Sequence, residues 1–226
     1  MKKKAITRSF PEFFDHLKTL DFDPSVCIDV GAASGTDSIY SAFPNAFHIA
    51  FEPLEDFQGA LQESLKPYKH EIYQTALMDR AEEQKILRQK DNLYTSSLMH
   101  TRHSKDKDQK NLVTVPVNTL DGVMGNHSVD GEYLIKTDCQ GSDLFVLRGG
   151  MKTLQKAEIV IVETSFFKFW GPHHPDFFQI VRFMHLNGFA VYDILDGIFR
   201  PYDKALGQVD LVFAKVNGRF RSATRW

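Results

Sequence analysis

Cysteine is scarce: the 226-residue chain has two, Cys27 and Cys139, far apart and in no Cys-x-x-Cys pair. That excludes a disulfide framework and a zinc knuckle, and it suits a reducing, cytoplasmic compartment. Long apolar runs are missing too. No window approaches the ~18 residues a membrane-spanning helix needs, so no membrane association is expected. The basic start Met1-Lys2-Lys3-Lys4 is broken at once by Thr7, Arg8, Pro11, Glu12 and Asp15, so it does not read as a signal peptide. A formal net charge of −2 provides no basic field, and no nucleic-acid partner is expected. Internal repeats and low-complexity segments are also lacking.

What remains has the composition of one globular domain, with 42% hydrophobic and 25% charged residues. The expected organisation is a single domain over 1–226. It comprises an N-terminal helical segment (1–24), an α/β core (25–216) and a basic tail (217–226). Phe10, Phe13, Phe14 and Leu17 form a helical stripe behind a Ser9 cap with Glu12 three residues on. Strands are expected at Val26–Val30, Phe47–Phe51, Glu71–Leu77, Val113–Val117, Tyr133–Thr137, Ile159–Val162, Phe189–Ile194 and Val209–Val216. Helices are expected at Thr36–Phe43, Phe57–Leu65, Leu144–Leu154 and Pro175–Leu186. Between Asp79 and Pro116 the alternation is lost, and the mixed charges of Lys105–Lys110 suit a solvated loop. Strands alternating with helices imply a doubly wound, mostly parallel sheet. The last two strands are separated only by a Gly197–Gly207 loop, which makes them an antiparallel pair at its edge.

The most informative stretch is Ile28-Asp29-Val30-Gly31-Ala32-Ala33-Ser34-Gly35, where a strand ends, small residues turn and a helix begins. Such a turn brings backbone N–H groups and a positive helix end to a carboxylate or phosphate. A dinucleotide or S-adenosylmethionine would satisfy it. The spacing Asp-x-Gly-x-x-x-Gly, with Ala33 at the centre, departs from the Gly-x-Gly-x-x-Gly that lets a pyrophosphate approach bare backbone, and so favours S-adenosylmethionine. Asp29 could accept from the ammonium group of such a ligand. Glu52, 23 residues after Asp29 and followed by Pro53, stands at the second strand tip, where an acid can accept from both ribose hydroxyls. Two rival readings are a nicotinamide-dependent oxidoreductase or epimerase, and a non-catalytic protein that keeps the fold. None of the seven Tyr has a Lys four residues on, which removes the oxidoreductases that relay protons through such a pair.

In an ordered series of blocks the chain resembles the FkbM family of S-adenosylmethionine-dependent methyltransferases. The blocks are Ile28–Gly35, Phe51-Glu52-Pro53, Thr75-Ala76-Leu77 with Asp79, Val117-Asn118-Thr119-Leu120-Asp121, Ile135–Gly141, Val146–Gly150 and Val162-Glu163. The likeness runs from about Val26 to Val216. Thr137 stands where the family usually has Ile, and Ser142-Asp143 where Ala-Glu is common. The resemblance implies a Rossmann-like, seven-stranded methyltransferase sheet with an antiparallel edge strand. It also implies S-adenosylmethionine as cofactor and methylation of a hydroxyl on a sugar or polyketide-like natural product. The cofactor-binding residues expected are Asp29, Gly31, Ala32, Ser34, Gly35, Glu52, Pro53, Ala76 and Leu77.

Methyl transfer from a sulfonium needs alignment and a base for the acceptor proton. Asp138, at the end of the fourth strand, is the first candidate for that base, and Glu163 at the end of the fifth is the second. The alternative for Asp138 is that it only caps the following helix or fixes the loop, and Lys136 is its expected ion-pair partner. Asp138 with His173 or Glu163 could hold magnesium, and His100, His103 and His174 are further conceivable ligands, yet no metal is expected. Phe166–Pro175 follows the fifth strand and should overhang the crevice, with Trp170 and the His173-His174 pair closest to an acceptor. The remaining aromatics, with Phe177, Phe178 and Phe183, pack core or a homodimer face.

Overall fold

The computed structural model describes residues 7–88, 92–99, 111–223 and 225. The expectations for Met1–Lys4, His100, His103 and Lys105–Lys110 fall outside these residues. Helix α1 (Phe10–Thr19) begins at a capping box in which Ser9 and Glu12 satisfy each other's backbone N–H groups, and it buries Phe13, Phe14 and Leu17. There follow β1 (Val26–Val30), α2 (Asp37–Ala42), β2 (Phe47–Phe51), α3 (Glu55–Leu65) and β3 (His70–Tyr73). The next elements are β4 (Ala76–Leu77), β5 (Glu82–Leu87), β6 (Leu112–Asn118), α4 (Leu120–Met124) and β7 (Tyr133–Thr137). The chain closes with α5 (Asp143–Arg148), α6 (Met151–Leu154), β8 (Ala157–Ser165), α7 (Phe177–Leu186), β9 (Phe189–Phe199) and β10 (Leu206–Lys215).

Seven strands form the main sheet in the order β3-β2-β1-β7-β8-β10-β9. All pairings from β3 to β8 are parallel, and β10 runs antiparallel to both β8 and β9. This is the expected α/β class, with the antiparallel pair at one edge. Strand alternation sends Val26, Ile28 and Val30 into a core with α4, α5 and α7, while Cys27 joins a second core with α1, α2 and α3. Helices therefore cover both faces. The strand order reverses between β1 and β7, and in such sheets ligands bind beyond the carboxyl ends at that reversal.

Strand β5 and helix α4 have no counterpart in the sequence expectation, and three expected segments take a different form. The strand expected over Glu71–Leu77 splits, with β3 ending at Tyr73 and β4 opening a separate sheet of order β4-β6-β5. Thr75 fixes the departure: its hydroxyl donates to the Pro116 carbonyl at 2.9 Å and accepts from Asn118 Nδ2 at 3.0 Å. The helix expected over Leu144–Leu154 breaks at Gly149-Gly150. A Cβ on Gly149 would lie 2.1 Å from the Met78 carbonyl oxygen, and one on Gly150 2.6 Å from the Leu120 side chain. The loop expected over Gly197–Gly207 is shorter, because β9 runs to Phe199 and β10 starts at Leu206.

Asp121 shows why a family block can be structural. Its Oδ1 accepts from Thr153 N and Thr153 Oγ1, both at 2.8 Å, and Oδ2 accepts from Lys152 N at 2.9 Å. It therefore satisfies the free amides at the start of α6 from another helix. Asp121→Ala should lower stability by about 2 kcal/mol in urea denaturation, the scale of a lost cap plus stranded donors. Cofactor affinity should be retained. A loss under about 0.5 kcal/mol would show that water replaces the carboxylate without cost.

Candidate active site

The loop after β1 is shaped by backbone contacts more than by side chains. Gly31 has φ +75°, and a Cβ there would lie 2.0 Å from the Asp138 carbonyl oxygen, so the β1 and β7 loops meet where only glycine fits. Gly31 N and Ala32 N donate to the Phe51 carbonyl at 2.9 and 3.1 Å, and Asp138 N donates to the Val30 carbonyl at 2.9 Å. Ala33 is held in the left-handed region at φ +46°. Its N–H donates to Glu52 Oε2 at 3.0 Å, while Leu54 N donates to Oε1 at 2.8 Å. Burial pushes the Glu52 carboxyl up to about 7, against the pull of these two amides.

Below this loop opens a cleft of about 760 Å³, open solvent at its mouth included. Gly31, Glu52, Pro53, Ala76, Leu77 and Asp138 line it, as do Ala33, Cys139 and Gln140. The other expected residues lie behind or beside it. Ala32 packs with the α1–α3 core, and Gly35 turns the chain at φ +111° against Ser64. Ser34 Oγ lies 3.0 Å from Tyr94 OH. Asp29 was expected to face an ammonium group of the ligand. Instead it is 1% exposed and does not line the cleft. Its Oδ2 accepts from Tyr40 OH at 2.6 Å, and Oδ1 lies 3.7 Å from Lys136 Nζ. Leu54, Phe57, Ile86 and the segment Leu93–Leu98 also line the cleft, and no motif announced them.

Around the tips of β7 and β8 the carboxylates crowd. Lys136 Nζ is 3.3 Å from Asp138 Oδ2, and it is buried. Gln140 Nε2 donates to Asp138 Oδ1 at 3.2 Å and to Glu163 Oε1 at 3.0 Å, and Gln208 Nε2 also donates to Glu163 Oε1. Burial alone would raise Asp138. The Lys136 charge and hydrogen bonds from Glu163, Lys136 and Gln140 outweigh it and hold Asp138 below its ordinary value. Burial and the facing Asp138 and Asp143 charges push Glu163 well up. The two carboxyls are thus driven apart, Glu163 towards the neutral form and Asp138 towards the ionised one. Asp138 does not cap α5. The Cys139 N–H there donates instead to Asp143 Oδ1 at 3.1 Å.

Gly141, at φ +96°, seats the aromatic loop: a Cβ there would lie 2.1 Å from Trp170 Cδ1 and 2.9 Å from His174 Cδ2. Trp170 therefore rests on the turn that carries Asp138 and Gln140. His174 is buried, and burial with the Lys168 charge lowers it to about 4; His173 is exposed. Among the described residues no group of three or more His, Cys, Asp or Glu is arranged to hold a metal ion.

Asp210 tests the electrostatics. Burial and the nearby Asp138 charge raise it to about 7, so the folded chain keeps a proton the unfolded chain has released. Stability from that proton is complete below pH ~4 and lost as pH rises through ~7. Melting temperature should fall between pH 5.5 and 8, and Asp210→Asn should fall less over the same range. Equal slopes in the two proteins would mean Asp210 titrates normally.

No curated protein matches this chain. Solved structures with a similar arrangement include the precorrin-6y C5,15-methyltransferase of Geobacter metallireducens, at 11% identity, TM-score 0.49, 95% of this chain and 92% of that one. The 1,6-didemethyltoxoflavin-N1-methyltransferase of Burkholderia thailandensis, with its substrate and S-adenosylhomocysteine bound, gives 11%, 0.46, 94% and 79%. An rRNA methylase of Streptococcus thermophilus gives 12%, 0.46, 94% and 99%. The model of the methyltransferase FkbM domain matches residues 29–191, from Asp29 at the tip of β1 through Glu52, Asp138 and Glu163. The chain belongs to the FkbM family of methyltransferases, with S-adenosylmethionine as its cofactor.

Proposed function

We propose that this enzyme methylates a hydroxyl group on a small acceptor, a sugar or polyketide-like natural product. The observation that carries this reading is the Asp138 carboxylate on the cleft wall, whose neighbour Glu163 shares the Gln140 amide with it. The formal net charge of −2 favours such an acceptor over a polyanion.

The cleft fits the cofactor. Each Glu52 oxygen accepts one backbone N–H, which leaves lone pairs for ribose hydroxyls. Leu54, Phe57, Leu77 and Ile86 give the same cleft an apolar side for a base, and Gly31 and Ala33 bring main chain to it. Pro53 and Ala76 complete that lining. Asp29, Ala32, Ser34 and Gly35 act on the cofactor through the shape of the loop. Bound there, S-adenosylmethionine supplies an electrophilic methyl group.

The residues of this chain then orient the acceptor and manage its proton. Asp138 accepts a hydrogen bond from the hydroxyl and fixes its direction. A carboxylate held below its usual range is a weak base for a free alcohol. The hydroxyl proton becomes strongly acidic as its oxygen takes on carbon, so Asp138 can remove it late. Lys136 keeps Asp138 ionised meanwhile. Glu163, neutral and clamped by Gln140 and Gln208, positions Asp138 without competing for that proton. Trp170, seated on Gly141, borders the acceptor side.

Asp138→Asn should retain affinity for S-adenosylhomocysteine and lose turnover by about 10²–10⁴, the usual worth of a positioned base. Single-turnover methyl transfer across a panel of sugar and phenolic hydroxyls, with calorimetric cofactor titration, measures both. Normal turnover in the mutant would pass the role to Glu163, and methylation only of amines or RNA by the wild type would sink the hydroxyl reading. Glu52→Gln should weaken S-adenosylhomocysteine binding by about 1–3 kcal/mol, through loss of a charge-assisted acceptor. Because Glu52 titrates near 7, wild-type affinity should rise from pH 6 to 8, and the Gln variant should be flat. Parallel pH profiles would mean Glu52 does not meet the cofactor.

A further inference from the structure

One wall of the cleft comes from outside the main sheet. Between β5 and β6, Leu93–Thr95 forms a single 3-10 turn, and Leu93, Tyr94, Ser96, Ser97 and Leu98 all line the cleft. The segment is pinned on two sides. Tyr94 OH lies 3.0 Å from Ser34 Oγ on the cofactor loop, and its ring packs 5.1 Å from that of Phe57. Ser97 Oγ donates to the Gln140 carbonyl at 2.7 Å, and a backbone bridge joins Ser97 to Leu87 at the end of β5.

Tyr94 is oddly employed for a structural residue. Its side chain is 58% exposed, so water competes for its hydroxyl and much of its ring stabilises nothing in the fold. Yet the ring borders the cleft beside Phe57, and the hydroxyl reaches across to the very turn that approaches the cofactor. A tyrosine joins an apolar ring to a polar tip, so the ring can face a ligand in the cleft while the hydroxyl is held at the far rim. Ser34, on this view, is occupied by Tyr94 rather than by the ligand.

We propose that Leu93–Leu98 is the closing wall of the S-adenosylmethionine site and that Tyr94 is a cofactor-binding residue, latched to Ser34 over the adenosyl moiety. Since Ser97 grips the backbone of Gln140, whose side chain bridges Asp138 and Glu163, the same wall braces the acceptor side. The inference rests on the cleft being the cofactor site.

The test uses the full chain and S-adenosylhomocysteine, with affinity from calorimetry and the dissociation rate from stopped-flow fluorescence. Tyr94→Phe should speed dissociation about fivefold, the equivalent of one exposed hydrogen bond. Tyr94→Ala should weaken binding about tenfold or more, as the ring contact goes too. Neither should shift the melting temperature of the ligand-free protein, because the side chain is largely exposed. A Tyr94→Ala protein that binds and releases the ligand as the wild type does would overturn the latch alone. So would an affinity loss matched by a lower ligand-free melting temperature. Wild-type protein that fails to bind S-adenosylhomocysteine would instead overturn the assignment of the cleft, and the latch with it.

Discussion

The ammonium group of Lys136 sits between the two central strands where the sheet order reverses, 3.7 Å from Asp29 on β1 and 3.3 Å from Asp138 beyond β7. It links the β1 and β7 sides of the cleft. Burial would strip its charge, but the carboxylates of Asp138 and Asp29 hold it protonated. A buried cation with satisfied partners is costly to assemble and more costly to break, at about 3–5 kcal/mol when one partner is removed. Asp29 is the clearest dependant. Tyr40 satisfies one of its oxygens, and the other has no hydrogen bond, only the ammonium across from it.

The same charge sorts the surrounding acids into different protonation states. Asp138 is beside the ammonium and stays ionised, while Glu163 and Asp210, with less help from it, are raised. Enzymes commonly obtain an acid and a base from chemically identical carboxyls by this kind of separation. Here the partition follows from burial depth and distance to one cation.

Much of the frame was legible in the sequence. The unbroken β-branched run Ile159–Val162 announces β8 as a strand buried on both faces, and Ser9 with Glu12 marks the start of α1 before any contact is known. Glu52 and Asp138 could be placed in the cleft because strand tips at the reversal of a parallel sheet converge there. The second sheet could not be read. Its strand β4 is two residues long, too short for any period, and Thr75 directs it away from β3 through partners some forty positions off. The surroundings of Asp29 were hidden for a related reason. A charged residue at a strand end reads as exposed, and its burial depends on Tyr40 and Lys136, whose side chains meet it only in three dimensions. Leu93–Leu98 carries no periodicity at all, so its place on the cleft is purely tertiary.

The main sheet ends on one side in β9, an eleven-residue strand paired through β10. Arg8 meets its outer rim. It forms a parallel bridge with Leu195, its carbonyl accepts from Asp196 N at 3.2 Å, and its guanidinium pairs with Asp193. Strand rims of this length are templates for pairing with another chain, and nature blunts them with charge or a covering segment. The stretch ahead of α1 does both at a single point. A chain trimmed to begin at Ser9 would keep the cleft intact and still lose the Arg8 contact on the β9 rim, so colloidal behaviour and cofactor binding would part company.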